Sequence, residues 1–351
     1  MPILAEIVDA VVGVDTHRDT HQVEIATPTG ATLGTIQIPN TTNGFAELVR
    51  WIGELTPGPH VVVAIEGTRS YGIGLARALE TTGWTVIESE QPARRARRGR
   101  GKSDPIDAHL SVLFALNQDA ARLPTPRIDG NREALRILLG ARHELTLTAT
   151  AQTNRLRALL LGGDDTERHL SRHTLSDDVL VRLGRRRTIT EATPVQTIRT
   201  QEIRRLALAL RDAAQTLKVN RQQLLELVEA TAPGLLKRPG VGPVTGAQLI
   251  VSYSHPGRVR SEAAFAALAG TSPLQASSGR TTRHRLNRGG DRALNRALHT
   301  IALTRMRSDS QTRAYVNRRT AEGKTTREIR RMLKRYITRE LYRTVTAAMA
   351  T

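Results

Sequence analysis

The chain has no cysteine, which excludes disulfides, thiolate zinc sites and a cysteine nucleophile. Aromatic residues make up only 3% of it, too few for a broad stacking platform of the single-strand-binding type. Lysine is scarce, occurring five times, at Lys102, Lys218, Lys237, Lys324 and Lys334. No run of about 18 apolar residues and no charged-then-apolar leader is present, so neither a membrane span nor a secretory signal is expected, and the reading is cytoplasmic. The ten histidines are scattered without HExxH or His/Cys spacing, and no GxxxxGK[ST] phosphate loop occurs.

Arginine is what the chain has instead. Lys and Arg number 52 against 33 Asp and Glu, giving a formal net charge of +19 and a pI near 11.3. Such a balance favours polyanionic partners through counterion release. Because nearly all of the cations are Arg, which forks a phosphate with two parallel hydrogen bonds, nucleic acid is favoured over merely solubilising charge. The length of 351 residues allows two to three domains with real cores.

Four carboxylates in the first third carry the chemistry. VVGVD (Val11 to Asp15) reads as a buried strand ending in an acid, and HVVVAIEG (His60 to Gly67) as a second one carrying Glu66. Parallel neighbours would put both acids at one end of a sheet. HQVEIAT (His21 to Thr27) and TLGTIQI (Thr32 to Ile38) read as a hairpin after the first strand. An amphipathic stretch follows over residues 42–55, then a helix over 71–82 and a strand over 85–90, which together make a sheet with crossover helices. KSDPIDAHL (Lys102 to Leu110) places Asp104 before Pro105 at a helix start, with Asp107 three residues on and so on the same face. Hard oxygen ligands without Cys suit Mg²⁺ or Mn²⁺. A loop with Arg94, Arg95, Arg97, Arg98, Arg100 and Lys102 precedes these helix acids. It is placed to draw a phosphate backbone toward metals that otherwise sit among anions.

LPTPRIDG (Leu123 to Gly130) reads as a linker, followed by a Leu/Ala/Arg-rich helix over 132–161. Ile203, Leu206, Leu210, Ala213, Leu217, Asn220, Leu224 and Leu227 recur at spacings of three and four. This is a heptad seam, which serves either a subunit interface or packing on the 132–161 helix. LLKRPGVGPVTGAQLIV (Leu235 to Val251) has the pattern of a helix-hairpin-helix, in which Gly240 and Gly242 let backbone amides approach a DNA phosphate. Beyond it, Ser277, Ser278, Thr281 and Thr282 lie in a basic loop with Arg280, Arg283, Arg285, Arg288 and Arg292 downstream. A hydroxyl there suits attack on phosphorus, and side-chain chemistry alone does not choose among the four.

VGVDTHRDTHQV, VAIEGT, KSDPIDA, the PGVG turn, and LAGTSPLQASSG followed by NRGGDRALNRAL together resemble the insertion-sequence one-ten family of transposases, over nearly the whole chain. The resemblance implies a DEDD recombinase. Its α/β ribonuclease H/RuvC-like domain would span 1–128, a helical coiled-coil and oligomerisation segment 129–231, and an all-α transposase domain with the helix-hairpin-helix 232–351. It further implies Asp15, Glu66, Asp104 and Asp107 as the metal site and Ser278, the serine directly before Gly279, as nucleophile. Ser277 precedes it, so that assignment rests on position relative to Pro273 and Gly279. Also implied are donor and target DNA chosen by a structured bridge RNA, and a homo-oligomer, dimer or tetramer. A site-specific invertase without a guide would share these residues, a Holliday-junction-type nuclease would use water and need no serine, and an architectural DNA binder would leave the ordered acids unexplained.

Overall fold

The structure, a computed structural model, describes residues 2–89, 104–187, 192–255, 258–259, 261–275, 284–285, 287 and 289–349. They divide into two compact units, Met1–Glu133 and Ala134–Thr351.

The first unit is built on β1 (Ala10–Thr16), β2 (Thr20–Ala26), β3 (Thr32–Pro39), α1 (Thr42–Leu55), β4 (Val61–Glu66), α2 (Ile73–Thr81), β5 (Thr85–Ser89) and α3 (Asp104–Leu116). One five-stranded sheet runs in the order β3-β2-β1-β4-β5. The hairpin strands pair antiparallel, while β1–β4 and β4–β5 are parallel. Each element expected from the strand and helix patterns of this unit is present, which makes it a mixed α/β domain. The central strands read as continuous apolar runs because helices cover both of their faces. Val12, Val14, Val63 and Ile65 pack with Leu48, Ile52, Leu75 and Leu79 of α1 and α2. Val11, Val62, Ala64 and Ile87 pack instead with Val112, Ala115 and Leu116 of α3. Each such fully buried side chain contributes roughly 1.5–3 kcal/mol.

Gly13 sets how close α3 comes. A Cβ at this position would fall within 2.8 Å of Val112 Cγ2 and closer still to the Ala108 carbonyl. Only glycine lets the helix backbone rest on the strand there.

The second unit is largely helical: α4 (Gly130–Leu161, entering from the first unit), α5 (Asp165–Arg172), α6 (Asp177–Gly184), α7 (Pro194–Thr231), α8 (Pro243–Tyr253), α9 (Glu262–Leu268), α10 (Arg292–Ser308), α11 (Ser310–Ala321) and α12 (Thr326–Ala348). A short antiparallel ladder, β6 (Leu274–Gln275) with β7 (His284–Arg285), interrupts what sequence patterning reads as wholly helical. The long helices start on local capping. Thr193 forms a reciprocal box with Gln196 ahead of Pro194, and Thr325 does the same with Glu328.

The heptad seam on α7 faces the chain's own helices. Ile203, Leu206 and Leu210 are buried with Leu156 and Leu160 of α4 and with Leu180 and Leu183 of α6. Asn220 donates to the Leu138 carbonyl at 2.9 Å, and Arg142 reaches the Leu217 carbonyl at 3.1 Å. Leu224 joins Leu135 in the core of the rest of the unit. α4 and α7 therefore lie antiparallel with the seam between them. Of the two partners that the spacing allows, the structure supplies the intramolecular one for Ile203, Leu206, Leu210 and Leu224, while Ala213, Leu217 and Leu227 are partly buried. Among the described residues, no helix is long and apolar enough to cross a membrane.

Candidate functional site

Alternation along the strands puts two of the acids on one face of the sheet. Val11 and Val62 face α3, and successive residues of a strand point to opposite faces. Counting by twos, Gly13 and Asp15 on β1, and Ala64 and Glu66 on β4, face α3 as well. Val14 pairs with Ile65 in the parallel register, so Asp15 and Glu66 leave adjacent strands at the same end of the sheet. Thr16 Oγ1 ties these two strand ends by donating to the Glu66 carbonyl at 2.8 Å. Asp107 sits one residue before Ala108, whose carbonyl rests on Gly13, and is only 4% exposed. Asp15 is 7% exposed, with His17 Nδ1 at 3.8 Å from its Oδ2.

Asp15 and Glu66 thus share the sheet face that α3 covers, and Asp107 is in the first turn of that helix. Asp104 is the first residue of that helix, and its side chain lies outside the described residues. Among the described residues, no group of three or more His, Cys, Asp or Glu is gathered closely enough to hold a metal ion. The donor chemistry still fits a hard cation. Glu66 Oε2 is buried without a hydrogen-bond partner among the described residues, as are Thr68 Oγ1 two residues on and Ser111 Oγ one helical turn beyond Asp107. Buried oxygens left this way carry a free-energy cost that a cation or ordered water relieves.

A second buried polar group escapes the sequence pattern. Glu24 on β2 is 4% exposed. It accepts from Thr32 Oγ1 at 2.9 Å and pairs with His109 Nδ1 of α3 at 2.7 Å. Glu24 stands opposite Gly13 in the ladder, so this pair fixes α3 to the sheet one strand away from the acids. The usable signal is an acid set between Val23 and Ile25 inside a strand.

On β5, paired with Ile65 at the same end of the sheet, another carboxylate is held by arginines. Burial alone would raise Glu88, but hydrogen bonds from Arg127 and the fields of Arg127, Arg69 and Arg132 outweigh it and hold the carboxyl below its usual range. Arg132 is pushed down to about 10 by burial and by its neighbours Arg127 and Arg69, so it remains a cation at neutral pH.

In the second unit the structure reaches the edges of the serine loop. Ser277, Ser278, Arg280, Arg283 and Arg288 lie outside the described residues, as do Arg94, Arg95, Arg97, Arg98, Arg100 and Lys102. Arg285 is described only as backbone of β7, and Arg292 is an exposed residue at the start of α10. Both ends of the loop are anchored. Thr271 Oγ1 bonds Thr338 Oγ1 of α12 at 3.2 Å on the leading side. On the trailing side, Asp291 N donates to the Leu268 carbonyl and its carboxylate caps α10 through Ala293 and Leu294. Asn295, in the NRGGDRALNRAL segment, links the Ala269 carbonyl at 2.6 Å to Lys334 at 2.6 Å. Burial lowers the Lys334 ammonium from its ordinary value.

The PGVG turn is tight but differs from a full helix-hairpin-helix. The segment before it is a single 3-10 turn, Leu235–Lys237, not an α-helix. Gly240 has a φ of +74°, and a Cβ on it would lie 2.9 Å from the Ile301 carbonyl, so the turn needs glycine. The Gly242 amide already donates to Thr245 Oγ1 at 2.9 Å within the cap of α8.

Two family models match the chain. A DEDD transposase model of IS110 elements covers residues 12–163, which includes all four acids. A second, described as transposase of the IS116/IS110/IS902 family, covers residues 233–317, from the PGVG turn through the serine loop. A curated relative, an insertion element IS110 uncharacterized 43.6 kDa protein of Streptomyces coelicolor, is 28% identical over 260 residues. That match takes in 68% of this chain and 63% of the relative, so the chain spans less than two thirds of its length. With the acids inside one matched segment and the serine motif inside the other, the chain belongs to the IS110 family of transposases.

Proposed function

We propose that the protein is an insertion-sequence transposase that cuts and rejoins DNA, with Asp15, Glu66, Asp104 and Asp107 as its carboxylate site and Ser278 as its nucleophile. The observation that carries this reading is the placement of Asp15 and Glu66 at the same end of adjacent strands, on the face that α3 covers, with Asp107 in the first turn of that helix. Those acids, with Asp104, would hold Mg²⁺ or Mn²⁺, which when bound supplies Lewis-acid polarisation of a phosphate oxygen. The basic loop over 94–102 and Arg280, Arg283, Arg285, Arg288 and Arg292 would neutralise the DNA backbone. Ser278 Oγ forms a bond to phosphorus as the strand's P–O bond breaks and the leaving oxygen takes a proton. The phosphoserine conserves the bond energy, so a strand hydroxyl can reverse the step without ATP.

A RuvC-like first domain, the division at 128 and 231, a helix-hairpin-helix in which the Leu235–Lys237 turn replaces the first helix, a structured bridge RNA, a dimeric or tetrameric assembly and a cytoplasmic setting belong to the same reading. They are supported by family membership. The test is strand transfer by Asp15→Asn, Glu66→Gln and Asp107→Asn variants with Mg²⁺ present. Each is expected to lose on the order of 100-fold or more in rate, with DNA binding unchanged. Wild-type transfer by any of the three removes that acid from the site.

A further inference from the structure

Between the Leu235–Lys237 turn and α12 lies a groove of about 840 Å³, lined among others by Gly234, Lys237, Arg238, Tyr336 and Arg343. We propose that it holds a single strand of nucleic acid, with Lys237, Arg238 and Arg343 on the phosphates and Tyr336 offering a face to an unpaired base. The inference rests on the reading of the chain as a nucleic-acid enzyme, and it assigns that role to residues outside the carboxylate site, the serine loop and the PGVG glycines.

Three observations support it. The first is charge. Lys237, Arg238 and Arg343 are exposed, and none of them makes an ion pair among the described residues. Their neighbours on α12 behave differently, since Arg335 and Arg339 both turn onto Glu262. The one acid of the lining, Glu340, is taken by Arg305 through contacts of 2.7 and 3.2 Å. The groove is therefore left with uncompensated cations, which phosphates would satisfy.

The second is rigidity. Arg305 is only 8% exposed, and besides gripping Glu340 of α12 it donates through Nε to the Pro239 carbonyl at 2.7 Å. One buried guanidinium thus fixes both walls at once. A groove pre-organised in this way loses little entropy on binding.

The third is aromatic. The chain has five tyrosines and two tryptophans, yet Tyr336 is left 51% exposed in the groove. Its ring meets Tyr315 edge-on, with centroids 5.9 Å apart. The guanidiniums of Arg318 and Arg319 lie 5.5 and 5.3 Å from the Tyr315 centroid. This is one local face, not a platform. Stacking of a base on such a ring is worth roughly 1–3 kcal/mol, and a duplex, whose bases are already stacked, has none to offer.

The test is fluorescence anisotropy on the full chain, using a labelled single strand of roughly a dozen nucleotides as DNA and as RNA, and a blunt duplex of the same sequence. Joint Lys237→Gln, Arg238→Gln and Arg343→Gln changes should flatten the slope of log affinity against log salt by about 2, at ~0.7 per phosphate released. Tyr336→Ala should weaken single-strand binding at least about fivefold and leave duplex binding unchanged, while Tyr336→Phe keeps wild-type affinity. All four residues are exposed, so melting temperatures should match the wild type. A larger loss for DNA or for RNA names the strand that the groove holds. Wild-type affinity and slope in the triple variant would overturn the groove alone, as would an equal loss by Tyr336→Ala on single strand and duplex. A wild-type protein that binds neither strand nor duplex would overturn the nucleic-acid reading with it.

Discussion

Gly13 is the residue on which the geometry of the acids turns. The α3 backbone lies where a side chain would begin, and Asp107 is carried on the turn of helix that touches it. Gly13→Ala is expected to push α3 away and to cost about 1–3 kcal/mol through overpacking, measured by urea unfolding. An unchanged midpoint would mean that α3 does not rest on the strand. Glu88 makes a second prediction at this scale. Its carboxyl is held below the usual range in the folded state, so its contribution is fully present above its ordinary value near 4.5 and is lost as pH falls through the folded value. Glu88→Gln should therefore destabilise the protein by about 3 kcal/mol at neutral pH, because it leaves the half-buried Arg127 without its partner. The gap to wild type should narrow steadily as the pH drops below 4.5. A gap that stays constant down to pH 3 would show that the ion pair contributes nothing.

At the scale of elements, α7 carries the sharpest prediction. Leu206 is 2% exposed, packed against α4 and α6. Leu206→Ala should cost about 2–5 kcal/mol without changing the mass measured by light scattering. A loss of mass with unchanged monomer stability would return the seam to a subunit interface. The same helix marks the limit of what the sequence makes legible. A heptad seam specifies an apolar partner at a fixed spacing, but the spacing is identical whether that partner is α4 or another copy of α7. β1 and β4 are easier to read, since a run of β-branched residues covered on both faces and closed by an acid has few alternatives, and Asp15 and Glu66 follow directly. Glu24 and His109 were not legible as a pair, because they meet only through the packing of α3 on β2, 85 residues apart in sequence. The turn before Pro239 also misleads. Its leucines suggest a helix, but Gly234 in the left-handed region and Pro239 leave room for only three residues of 3-10.

For the whole molecule, the two units divide the residues of the proposed function. The acids belong to Met1–Glu133, and the serine motif and the basic groove belong to Ala134–Thr351. The account stands on Ser278 acting as a nucleophile that depends on those acids. The most direct measurement is to trap the protein on a DNA substrate with Mg²⁺, digest it, and map the DNA-linked peptide by mass spectrometry. The account predicts a single adduct at Ser278, which is absent from Ser278→Ala and from Asp15→Asn. An adduct at Ser277, or active strand transfer with no covalent species at any stage, would contradict it.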